Sequence, residues 1–177
     1  MGSSGWHYYV PYQDNIQKAL DELRAQVFLS GDYVGGRSKS KRKHASIDAL
    51  LSARGFDGTH SILDVSFVSD QPMRVESVKP EDFYERHLRF QALLGNDPAG
   101  FIRRMAQEAA LDVEGSVHTV MSESLMNICG TLTPEREAVE AAASALCASC
   151  ARNTGRYVIV FRDGAPVGIL FAGASGD

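Results

Sequence analysis

The chain is poor in the features that most quickly assign a class. Its 177 residues include three cysteines, an odd and small number that excludes a disulfide-built scaffold. Such usage fits a reducing, cytoplasmic compartment. No apolar run approaches the ~18 residues of a membrane span, and no basic-then-apolar segment opens the chain. A soluble protein without a membrane partner is expected. Signature motifs are missing as well. There is no G-x-S-x-G, no H-E-x-x-H, no calcium-binding loop and no dinucleotide fingerprint. No motif therefore fixes a reaction, and none implies a cofactor.

Apolar residues make up 44% of the chain and charged residues 23%, which excludes collagen, coiled coil and wholesale disorder. At this length a single domain is the default, burying roughly 70% of the unfolded chain's surface. Residues 1–5, Met-Gly-Ser-Ser-Gly, read as a tag remnant or a disordered N-terminus and are set aside. The domain is taken as 6–177, with a flexible basic loop at about 31–45.

The formal charge of −4 conceals an asymmetry. Five of the 18 cations, Arg37, Lys39, Lys41, Arg42 and Lys43, fall within seven residues. The rest of the chain sets 13 cations against 22 carboxylates, a net of −9. An acidic body with one dense basic loop is not the footprint of a duplex-DNA binder, whose basic patch dominates the domain. A local cluster still attracts phosphate or an acidic partner.

Periodicity divides the chain into strands and helices. Trp6–Val10 reads as a strand, and apolar steps from Tyr12 through Ile16, Leu20, Leu23 and Val27 trace one helical face. Ser46 can cap a short helix that Gly55 closes. Thr59–Val68 alternates, with Leu63, Val65 and Phe67 on one side and His60, Ile62, Asp64 and Ser66 on the other. Asp70-Gln71-Pro72 reads as a turn before a weaker strand, Met73–Val78. Pro80 and Asp97-Pro98 open two further helices. Ser116–Met121 reads as a strand, and Glu123–Cys129 fits either type. Thr133-Pro134-Glu135 starts a helix whose inner face is Val139, Ala142, Leu146 and Cys150. Arg156–Arg162 and Val167–Phe171 flank Asp163-Gly164-Ala165-Pro166, a hairpin apolar on both faces and hence central in its sheet. The sum is an α+β domain: a mixed or antiparallel sheet of about six strands, with about five helices packed on it.

Four features could carry function. The first is the loop itself. Arg37, Lys39, Lys41, Arg42, Lys43 and His44 run into the helix start at Ser46, where free N–H groups favour an anion. This is an anion clamp or a solvated loop without a partner, and it lacks the Walker spacing. The second is the polar side of Thr59–Val68. His60 and Asp64 share it as candidate catalytic groups, but on a strand they stand ~13 Å apart and cannot bond. Such a patch serves acid–base chemistry or simply faces solvent.

The third feature is Cys147-Ala-Ser-Cys150, which lies near a helix C-terminus, where the dipole disfavours thiolate. A zinc site would need Cys129 and His118 as well, and no second paired motif supports it. Buried small side chains, with no metal, is the better reading. The fourth is the aromatic group Trp6, Tyr8, Tyr9 and Tyr12, which suits core packing or base stacking.

The leading expectation is a binding or regulatory protein that docks an anionic ligand, or an acidic or nucleic-acid partner, through the basic loop. A protein partner is equally compatible with it. The alternative is a hydrolase or transferase on a phosphate-bearing or nucleotide substrate. There the loop would hold phosphate and His60 would act as acid or base, with Asp64 orienting it through water or substrate.

Overall fold

Two strands far apart in the sequence, the first rich in aromatic residues, meet in one sheet. The computed structural model describes residues 3–34, 44–54, 58–75 and 114–176. Within these, β1 (Ser3–Pro11) leads into α1 (Ile16–Ser30), α2 (Ile47–Arg54), a 3-10 turn (Ile62–Asp64) and β2 (Phe67–Met73). Then follow β3 (Ser116–Val120), α3 (Ser122–Cys129), α4 (Arg136–Ala148), β4 (Thr154–Arg162) and β5 (Ala165–Gly176). The sheet order is β1-β5-β4-β3-β2. The β1–β5 and β5–β4 pairs are antiparallel, while β4–β3 and β3–β2 are parallel. The fold is thus α+β with one mixed sheet.

Both faces of that sheet are covered. Alternation along β1 sends Trp6, Tyr8 and Val10 to one side, with Phe171 and Ile169 of β5. There they pack against Leu20, Leu23 and Val27 of α1, Leu50 of α2, and Ile62, Leu63 and Val65. The opposite side carries Val158, Val160, Leu170 and Ala172 under Val139, Ala143 and Leu146 of α4. Tyr9 packs at the margin of that second cluster. Each full burial of such a side chain is worth about 1.5–3 kcal/mol, so two apolar layers hold the sheet between them.

Local signals set the helix ends. Asn15 caps α1 by accepting the Lys18 N–H at 2.9 Å, and the helix therefore begins after Tyr12. Ser46 Oγ accepts the Ala49 N–H at 3.1 Å and caps α2, as its sequence suggests. The stretch that fitted either type is the helix α3.

Several expectations are corrected. Five strands and four α-helices stand among the described residues, where about six and five were expected. The helices expected after Pro80 and Asp97 lie outside the described residues. Thr59–Val68 is not a strand: β2 starts only at Phe67. Ser61 Oγ accepts the Leu63 N–H, and the Asp64 carboxylate accepts the Thr59 N–H, so side chains take the groups a ladder would use. Asp70-Gln71-Pro72 lies inside β2 instead of forming a turn, at a register shift between Ser69 and Met73. That shift is where a strand tolerates proline.

The α4 helix starts at Arg136 after Glu135, not at the Thr133 cap, and ends at Ala148, leaving Cys150 beyond it. The hairpin turns on Asp163 (φ 52°) and Gly164 (φ 77°), a two-residue turn with both centres left-handed. It lies inside the sheet, but only β4 is the central strand, because β5 stands between β4 and the end strand β1. Residues 3–5, set aside above, extend β1. Among the described residues no helix is long and apolar enough to cross a membrane.

Candidate functional site

The segment 58–65 folds against the end of the sheet where the first and last strands meet. Ser4 of β1 and Ser175 of β5 are direct partners in their ladder, with side chains on the face that carries Trp6 and Phe171. Each takes hold of one side chain from this segment. Ser4 Oγ lies 2.5 Å from His60 Nδ1, and Ser175 Oγ donates to Asp64 Oδ2 at 2.5 Å. The Asp64 carboxylate also accepts the Thr59 N–H, at 2.7 and 3.0 Å to its two oxygens. Thr59 and Ser61 hydroxyls bond each other at 2.8 Å in the buried floor of this cluster. His60 adopts φ 55°, a left-handed geometry uncommon for a residue with a side chain.

His60 and Asp64 are therefore brought to adjoining positions by way of two opposed serines, not spread along one strand. The hydroxyl–imidazole contact has the geometry by which a histidine takes a proton from a serine. Asp64 is engaged by Ser175 and Thr59, and so holds the loop onto the sheet. Arg24 of α1 reaches the same loop, its guanidinium donating to Leu63 O at 3.4 Å. Burial pulls its pKa down, against the opposing pull of Asp21, Asp48 and Asp64.

Of the anion-binding candidates, Arg37, Lys39, Lys41, Arg42 and Lys43 lie outside the described residues. The chain's exit and return are described. Val34 N–H donates to Thr59 O at 3.0 Å, and Tyr8 donates through its hydroxyl to Asp32 O at 3.4 Å. On the return, half-buried His44 precedes Ser46, the cap of α2. Asp48 stands in the first turn of α2 and already complements its dipole, so an anion there would depend on the cations more than on the helix.

Periodicity missed Ser4 and Ser175, because their pairing requires the register between the first and last strands. A second buried polar group pairs His118, considered above only as a zinc ligand, with Arg156, which periodicity did not single out. His118 and Arg156 are partners across β3 and β4, each about 1% exposed. The His118 ring nitrogens meet Ser116 Oγ at 2.7 Å and Gln71 O at 2.9 Å. Arg156 donates to Gly155 O at 2.9 Å and Ser149 O at 3.1 Å.

The cysteines serve local contacts. Cys147 Sγ donates to Trp6 O at 3.3 Å, and burial pushes its thiol pKa up. Cys129 is pushed up by burial too. Among the described residues no three His, Cys, Asp or Glu side chains form a group that could hold a metal. Compared with protein-family models, curated proteins and solved structures, the chain matches none.

Proposed function

We propose that this is a binding or regulatory protein that docks an anionic ligand or acidic partner through Arg37, Lys39, Lys41, Arg42 and Lys43, with His44 and Ser46 at the return of the segment. The observation that carries the reading is where this charge is mounted. Five cations in seven residues leave a body of net −9 between two fixed points, the Val34–Thr59 bond and the capped start of α2. Leu50 anchors that helix in the core. Concentrated charge on a short, tethered segment attracts anions, while the acidic remainder repels them elsewhere. The three cysteines are free thiols, which supports a reducing, cytoplasmic setting.

The test is binding of polyphosphate and short oligonucleotides at low and moderate salt. The wild type should bind in a salt-sensitive manner. The triple variant Lys41→Ala, Arg42→Ala, Lys43→Ala should weaken binding by about tenfold or more, three phosphate contacts being lost. Equal binding by the two proteins, or indifference to salt, refutes the reading.

A second reading keeps an enzyme on a phosphate-bearing substrate. The Val34–Thr59 bond favours it, because Val34, three residues before Arg37 in the sequence, is bonded to the residue that precedes His60. In that reading the imidazole is the acid or base, and Asp64 fixes the loop that carries it. His60→Ala would abolish turnover and leave phosphate binding intact. The binding reading predicts no turnover in either protein.

A further inference from the structure

The two end strands of the sheet are built on opposite principles. β2 carries Asp70 and Pro72 and a register shift between Ser69 and Met73, all devices that discourage a further strand. β1 carries no charged residue and no register shift. Its nine residues, Ser-Ser-Gly-Trp-His-Tyr-Tyr-Val-Pro, include no Lys, Arg, Asp or Glu. They pair with β5 at nine consecutive positions without a shift, and the single proline is the last residue. Among the described residues β1 has a neighbouring strand on one side only. Trp6 and Val10 are fixed in the core, so the strand is anchored as a preformed template.

We propose that the outer edge of β1 pairs with β1 of a second copy of this chain, antiparallel, about a two-fold axis at His7, joining two five-stranded sheets into one of ten. A two-fold axis requires a self-complementary strand, and this one qualifies. Centred on His7, the pairing sets Trp6 opposite Tyr8 and exposed Gly5 opposite Tyr9. No like charges meet anywhere along the edge. A strand selected for a charged foreign peptide would carry the opposite charge, and β1 carries neither sign.

The experiment is sedimentation equilibrium of the full chain at about 100 μM, because edge pairing falls among the smaller interfaces. The wild type should approach twice the 19.2 kDa chain mass. His7 is exposed, so His7→Lys and His7→Glu should fold, as checked by circular dichroism, and each should sediment as a monomer. Mixed together, the two variants should recover the doubled mass, because opposite charges then face each other across the axis. A monomeric wild type overturns the proposal, which leaves the edge to a different partner. A dimer that persists in both variants, or two monomers that do not combine on mixing, overturns it as well.

Discussion

Trp6 and Gly173 face each other across the β1–β5 ladder, and the indole occupies the space a side chain at 173 would need. A Cβ at position 173 would overlap the Trp6 ring at Cζ2 and lie 2.5 Å from the Thr154 carbonyl oxygen. Backbone cannot yield as a flexible side chain can. Gly173→Ala should therefore destabilise the fold by about 1–3 kcal/mol. Urea unfolding followed by tryptophan fluorescence measures it, and an unchanged midpoint would show that the ring moves aside freely.

Asp64 joins the 58–65 segment to β5 through Ser175 and closes the segment on the Thr59 N–H. Removing the carboxylate leaves a buried hydroxyl and a backbone donor without it. Asp64→Ala should cost about 1–3 kcal/mol, and Ser175→Ala should cost less, since the Thr59 bond survives. Amide exchange at Thr59 should quicken in Asp64→Ala and hardly change in Ser175→Ala.

Arg156 is buried beneath the end of α4 and bonds two backbone carbonyls, Gly155 and Ser149. Its planar fork suits two acceptors in different directions, and an ammonium does not reproduce it. Arg156→Ala should lose about 1–3 kcal/mol, with Arg156→Lys recovering only part. A thermal melt of the three proteins checks the order.

Burial pushes the Cys147 thiol above its ordinary range. The unfolded thiol ionises first as pH rises, so the stability this group contributes is present at neutral pH. It is lost as pH passes from the unfolded pKa to the higher folded one. Cys129, raised for the same reason, acts in the same sense. The urea midpoint should fall between neutral pH and pH ~10, within the ordinary thiol range and above. In the variant Cys147→Ala the fall should be smaller. Equal slopes in the two proteins would refute this linkage.

Elements governed by their own residues were legible in the sequence. The α1 face of Leu20, Leu23 and Val27, the Ser46 cap, the α4 face of Val139, Ala142 and Leu146, and the Asp163-Gly164 turn each depend on neighbours within a few positions. Thr59–Val68 misled because apolar alternation is also satisfied by a turn that buries Ile62, Leu63 and Val65 together. The hydroxyl and carboxylate groups decided it: Ser61 and Asp64 offered the backbone partners closer than any strand. The candidate site was half legible. His60 and Asp64 could be picked out by type, but Ser4 and Ser175 lie 171 residues apart and meet only through the register of the assembled sheet.

That register has a consequence for how the chain comes into being. β1 is paired with β5, which is made about 150 residues later, Ser3 lying against Gly176. At roughly 5–20 residues per second, a ribosome finishes β5 about 10–30 s after β1 has been polymerised. Through that interval Trp6, Tyr8 and Tyr9 lack their β5 neighbours and are open to capture by a chaperone. The ladder of β3, β4 and β5 closes over shorter stretches of chain than the β1–β5 pair does.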